Sequence, residues 1–230
     1  MVFDLYKAFL FDFDGTFADT APDLIASANY IYTKYKKPAI SFEQGRAIAS
    51  DGTRAFLNLR FDKKQNNLDI IALEFLDYYR KNLLQKTVLF DGISSLVALF
   101  IKEKIKWGVV TNKPREFTEK ILSHYGLLNE INVLLCGDDG YPTKPAPDML
   151  LKACHTLAID PADIAYIGDA KRDIVAANSA KMISILACYG YLKKEDNIDS
   201  WGAQRIILSP NELSALILNE RNKYKKVKNL

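Results

Sequence analysis

Ala8-Phe9-Leu10-Phe11-Asp12-Phe13-Asp14-Gly15-Thr16 is the stretch whose reading decides the fold of this chain. A compact apolar run that breaks at a glycine reads as a buried strand of a parallel sheet followed by a turn. The run therefore sets Asp12 and Asp14 at a strand's carboxyl end, the edge where open α/β sheets bind ligands. Two carboxylates there repel each other and resist desolvation, so something positive must offset them. A hard divalent cation would do so, and Mg²⁺ takes carboxylate oxygens, waters and a substrate phosphate. Taken alone, Asp-Phe-Asp-Gly is read equally well as the cap of a turn.

The rest of the chain decides between these readings. From residue 88 onward, strands alternate with helices: strands are expected at 105–111, 133–136, 164–168, 182–186 and 205–208, and helices at 93–104, 115–125, 147–157, 173–179 and 210–219. Such alternation implies parallel strands joined by right-handed crossovers. Residues 17 to 87 show helical patterns and no convincing strand. Thr20 stands as a cap before Ala21, Pro22 and the first-turn acid Asp23, and the helix it opens stops before Pro38. Further helices are expected at 42–48, after Gly52, and at 68–83. The expected architecture is α/β. A doubly wound, Rossmann-like parallel sheet core (residues 1–16 and 88–230) carries an inserted α-helical cap domain (residues 17–87).

Composition narrows the function. The chain has 230 residues, 49% hydrophobic and 26% charged, as expected for a globular protein with a sizeable core. A net charge of +3 is too small to argue for nucleic acid. No apolar run is long enough to span a bilayer. The first residues, Met1 to Leu5, do not read as a signal peptide. Cys136, Cys154 and Cys188 lack metal-type spacing and read as core hydrophobes of a reducing compartment. A cytoplasmic protein is expected, with the basic stretch 221–228 as a solvated tail.

Three further strand ends carry polar groups. The strand at 105–111 ends in Thr111-Asn112-Lys113; the loop after 133–136 contains Lys144-Pro145; the strand at 164–168 ends in Gly168-Asp169, with Asp173 one turn later. Parallel strands bring all of these to one sheet edge. The edge then collects Asp12, Asp14, Asp169 and Asp173 with Thr111 and Lys144, an acidic cradle beside a hydroxyl and a cation. Phosphoryl transfer needs such a set, because the transferred group spreads negative charge over its equatorial oxygens. A carboxylate nucleophile splits the displacement into two easier steps, and a second carboxylate can serve as acid and then base.

These four segments, in this order and spacing, resemble the four motifs of the haloacid dehalogenase superfamily, and the resemblance covers nearly the whole chain. It implies that Asp12 is the nucleophile and Asp14 the acid/base. It implies Mg²⁺ held by the Asp12 carboxylate, the Asp14 carbonyl and Asp169, with Asp173 supporting that shell. Thr111, Asn112 and Lys144 would hold the phosphoryl group. The segment from Asp12 to Leu24 looks like the phosphoglycolate phosphatase group. Trp107 to Pro114, Tyr189-Gly190-Tyr191 and the segments around Glu195 and Trp201 resemble its N-acetylmuramic acid 6-phosphate phosphatase branch. Two residues depart from the pattern: Lys181, where relatives often have glycine, and Asp51, where they often carry a smaller or neutral residue.

Arg54, and less so Arg46, are candidate anion ligands in the helical insert. His124 and His155 have no partner pattern. The expected function is a Mg²⁺-dependent phosphomonoesterase acting through an aspartyl-phosphate on a small phosphorylated metabolite, as a monomer or homodimer, with the insert as a lid. Alternatives are a phosphomutase on a sugar phosphate and a phospho-accepting receiver-type signalling protein.

Overall fold

The computed structural model describes residues 6–64 and 66–228, with side chains described through residue 219. The readings of the first five residues and of the basic 221–228 side chains lie outside these. Six strands form one parallel sheet: β1 (Ala8–Phe11), β4 (Lys106–Val110), β5 (Val133–Leu135), β6 (Ile164–Gly168), β7 (Ile183–Ala187) and β8 (Arg205–Ile207). Their order across the sheet is β5-β4-β1-β6-β7-β8. The chain-first strand is therefore central. Phe11 registers with Val109 of β4 on one side and with Ile167 of β6 on the other, so three strands end at the same level.

Alternation along β1 divides the core. Phe9 and Phe11 join one apolar layer with Phe100 of α5 (Ile93–Glu103) and Ile121 of α6 (Arg115–His124). That layer also takes Leu213 and Ile217 of α9 (Pro210–Lys228). Ala8 and Leu10 face the other layer, with Met149 and Ala153 of α7 (Asp148–Leu157) and Ala177 of α8 (Lys171–Ser179). The two-layer cover explains why β1 reads as continuously apolar.

Between β1 and α5 the chain forms α1 (Ala21–Lys34), α2 (Phe42–Arg46), α3 (Thr53–Asn58) and α4 (Leu68–Asn82), close to the helices expected from the sequence. Helices α1 and α4 pack together through the stacked Tyr30 and Tyr78 rings, 4.0 Å apart, and Phe75 of α4 packs on Phe56 of α3. Two features of this segment differ from expectation. A short antiparallel ribbon, β2 (Ala18–Asp19) with β3 (Val88–Leu89), ties together the two crossings between the helices and the sheet. Two-residue strands are too short to leave a period in the sequence. Asp23 is buried, and it does more than favour the first turn of α1. Its carboxylate accepts from the Lys86 and Thr87 amides at 3.0 Å each and from the Thr87 hydroxyl at 2.7 Å.

Lys181 has φ +61, in the left-handed region that glycine adopts without cost. No helix among the described residues is long and apolar enough to cross a membrane.

Replacing Asp23 by Ala strands two amides and a hydroxyl at the ribbon. The variant is expected to lose about 2–3 kcal/mol of stability, read from its denaturant midpoint.

Candidate active site

Asp12 leaves the end of β1 with its amide bonded to the Ile167 carbonyl (2.8 Å), which places its carboxylate at the level where β6 also ends. Asp12 Oδ1 accepts from the Phe13 amide at 2.7 Å and pairs with Lys144 Nζ at 2.8 Å. The same ammonium reaches Asp173 Oδ1 at 2.7 Å and the Tyr166 hydroxyl at 2.7 Å, and that hydroxyl donates to the Val110 carbonyl at 2.7 Å. Asp169 accepts from the Thr16 hydroxyl at 3.1 Å and from the Tyr191 amide at 2.8 Å. Asp12, Asp169 and Asp173 are all buried, and one oxygen of each lies within 4.8 Å of the others.

Burial opposes ionisation of all three, and the neighbours decide the outcome. Against burial, Lys144 and Arg172 hold Asp12 below the usual carboxylate range. Burial, followed by the charges of Asp12 and Asp173, pushes Asp169 up to about 7. Asp173 is raised by burial and by Asp12, with Lys144 opposing. The cluster is thus short of positive charge at Asp169. An all-oxygen, carboxylate-rich and buried donor set suits a hard cation such as Mg²⁺. Asp12 and Asp169 could touch such an ion. Asp173 has one oxygen on Lys144 and the other on the Ala170 amide (3.0 Å), so it would stand behind them.

Asp14 stands apart from this cluster. Its carboxylate accepts from the Thr20 hydroxyl at 2.6 Å and from Lys113 Nζ at 2.9 and 3.2 Å, while its carbonyl accepts from the Ser50 hydroxyl at 2.8 Å. Of the metal ligands read from the sequence, Asp14 can therefore contribute only its carbonyl. Thr20 makes no cap bond to its own helix, contrary to the sequence reading. Lys113 is buried beside the Tyr79 hydroxyl (3.0 Å) and ring (4.8 Å). Burial alone would lower its pKa, but the Asp14 charge and Tyr79 hold it above the usual lysine value.

A cavity of about 370 Å³ opens at this edge, lined by Asp12, Asp14, Thr111, Asn112 and Lys113 from the strand ends and by Arg172 from α8. Residues 49–53 close it from the helical segment, and Leu24, Leu76, Tyr79, Pro114 and Phe117 form its apolar wall. Thr111 is buried, with its hydroxyl accepting from the Lys113 amide at 3.2 Å. Asn112 spends its side chain on the Lys144 backbone, accepting and donating at 3.0 Å each, and so clamps the loop that delivers the lysine. Arg54 is not brought to the cavity: its half-exposed guanidinium pairs with Asp69. Arg46 reaches the Gly190 carbonyl at 2.8 Å instead of an anion site.

Sequence reasoning missed two cations of the site. Lys113 closes the Thr111-Asn112-Lys113 segment, and the sequence alone gives it no role. Arg172 lies between Asp169 and Asp173. Its guanidinium donates to Asp51 Oδ1 at 3.0 Å and to the Ser50 carbonyl at 2.8 Å.

The sequence profile of the haloacid dehalogenase-like hydrolase family matches residues 9–187. N-acetylmuramic acid 6-phosphate phosphatase from Pseudomonas putida KT2440 is 38% identical over 213 residues, covering 92% of this chain and 96% of its own. Phosphoglycolate phosphatase from Xanthomonas campestris pv. campestris 8004 is 35% identical over 212 residues, with 90% and 94% covered. The crystal structure of a predicted phosphoglycolate phosphatase from Haemophilus somnus 129PT shares the fold, with a TM-score of 0.84 at 23% identity over 92% of this chain and 97% of that one. The profile match runs from β1 to the last residue of β7 and takes in every strand end that lines the cavity, so the chain belongs to the haloacid dehalogenase-like hydrolases.

Proposed function

We propose that this chain is a Mg²⁺-dependent phosphomonoesterase working through an aspartyl-phosphate on Asp12. The observation that carries the reading is the separation of two aspartates in one cavity by two lysines: Asp12 on Lys144, Asp14 on Lys113. Asp12, kept ionised by Lys144 and Arg172, is the nucleophile. Its oxygen forms a bond to phosphorus as the bond from phosphorus to the leaving oxygen breaks, and Asp14, which begins the step protonated, gives that oxygen its proton and is left as the carboxylate that Lys113 pairs. Asp14 then takes a proton from water, whose oxygen displaces Asp12 and releases inorganic phosphate. Mg²⁺ on Asp12 and Asp169 would neutralise charge on the phosphoryl oxygens. Lys144 and Arg172 supply fixed positive charge there, and the Thr111 hydroxyl faces the same cavity.

The helical segment serves as a lid, with the β2–β3 ribbon at its hinge. For the substrate, we favour N-acetylmuramic acid 6-phosphate over phosphoglycolate. A two-carbon acid leaves most of a 370 Å³ cavity unfilled, and the wall of Leu24, Leu76 and Phe117 suits a sugar bearing apolar substituents.

Asp12→Asn is expected to lower phosphate release by at least about 10³-fold with an unchanged melting curve. Activity near wild type, with deamidation excluded by mass spectrometry, would overturn the mechanism. Asp169→Asn is expected to weaken Mg²⁺ binding by about 10–100-fold in calorimetry. Lys113→Met, which unpairs Asp14, is expected to lower kcat by about 10–100-fold with a smaller change in KM. A phosphate-release comparison of the two candidate substrates decides between them: faster turnover of phosphoglycolate would reject the amino-sugar phosphate.

A further inference from the structure

The loop Tyr189-Gly190-Tyr191 follows β7 and is pressed against the carboxylate cluster. A Cβ at Gly190 would lie 2.3 Å from Asp169 Cβ and 2.4 Å from the Gly15 carbonyl oxygen, so no side chain fits there. Gly15, at φ +85, would likewise place a Cβ 2.2 Å from Asp169 Oδ2 and 2.8 Å from Tyr191 Cδ2. Two glycines thus let Tyr191 wedge between the turn that carries Asp14 and the end of β6 that carries Asp169. Tyr191 is 4% exposed, and its amide donates to Asp169 Oδ2 at 2.8 Å. Its hydroxyl accepts from the Thr20 amide at 2.7 Å and the Ala21 amide at 2.9 Å, and donates to Asp19 Oδ1 at 2.8 Å. The Arg46 guanidinium covers the ring at 4.8 Å.

The first amides of a helix have no partner within it, and a Ser or Thr before the helix ordinarily accepts from one of them. Thr20 occupies that place and makes no such bond; its hydroxyl is on Asp14. A phenol 170 residues away takes the amides at the start of α1. The geometry points to Tyr191 as the positioning residue that sets Asp14 and Asp169 in place together. By binding the Thr20 and Ala21 amides it fixes the backbone from which the Thr20 hydroxyl reaches Asp14, and through its own amide it holds Asp169. The consequence for turnover rests on the phosphatase reading; the capping does not.

Tyr191→Phe removes the hydroxyl and keeps the ring and the amide. Its kcat is expected to fall about tenfold, while KM and the Mg²⁺ dissociation constant move by less than about twofold. Thr20→Val is expected to lower kcat by a similar factor, and the double variant to be no slower than the worse single one, because both act on Asp14 along one chain of contacts. Losses that multiply, or a Tyr191→Phe enzyme at wild-type kcat, would overturn the assignment. A second arm needs no folded variant. In the wild-type protein, NMR hydrogen exchange should show the Thr20 and Ala21 amides protected by about 10²-fold or more over unstructured chain. Fast exchange at both would overturn the capping. A wild-type protein that releases no phosphate from p-nitrophenyl phosphate with Mg²⁺ would overturn the phosphatase reading, and the exchange arm would still decide the role of the hydroxyl.

Discussion

Three buried carboxylates share a space in which each lies within 4.8 Å of the others, and the chain's own cations offset them only in part. Charges taken out of water need partners close by, or one of them neutralises. Lys144 meets this need for Asp12 and Asp173, and the structure around it is arranged for its delivery. Asn112 clamps the backbone of the lysine's loop, whose Lys144–Pro145 peptide is cis, and Tyr166 accepts from the ammonium beneath. Among the described residues no lysine or arginine bonds Asp169, and Arg172 acts on it only as a neighbouring charge. That deficit is what a divalent ion would correct, and it arises because β1 and β6 are adjacent, in parallel register, and end at one level.

Beside the buried contact of Tyr79 with Lys113 and Phe117, the helical segment meets the sheet domain through several partly exposed bonds. Arg46 donates to two carbonyls of the 189–190 loop, Ser50 to the Asp14 carbonyl, and Asp51 pairs with Arg172 and Lys193. Partly exposed ion pairs of this kind contribute about 0–1 kcal/mol each. Asp51 sits at this contact and lines the cavity. Its charge holds Arg172 toward the helical side of the cavity, so this residue bears on how the two parts meet as much as on what binds between them.

The sequence was most legible where one residue's type answers one demand. The apolar run of β1, the breaks at Gly15 and Gly168, and the alternation after residue 88 each report local burial or a local turn, and the sheet follows them closely. The acids at the strand ends were legible for the same reason: their placement follows from where strands stop. Contacts between distant segments were not legible. Thr20 has the residue type of a helix cap, and only the fold shows that its hydroxyl goes to Asp14 while Tyr191 takes its amide. Lys113 and Arg172 look solvated in one dimension, because nothing local says that Tyr79 and Asp51 will cover them. Arg54 shows the converse error: a cation in a promising loop, spent on Asp69.

Asp12 and Asp14 are two residues apart, and on a continuing strand they would share a face and repel. The chain does not continue. The Phe13 carbonyl accepts from the Thr16, Phe17 and Ala18 amides, and the Gly15 amide closes on the Ala18 carbonyl. This tight turn, which needs the positive φ of Gly15, carries Asp14 away from Asp12 and toward β4's end. There Lys113 meets it, while Lys144 from the loop after β5 meets Asp12. One carboxylate is thereby paired inside a charge-deficient cluster and the other inside a balanced pair. Two residues of the same type, two positions apart, acquire different chemistry because the turn between them sends each to a different lysine.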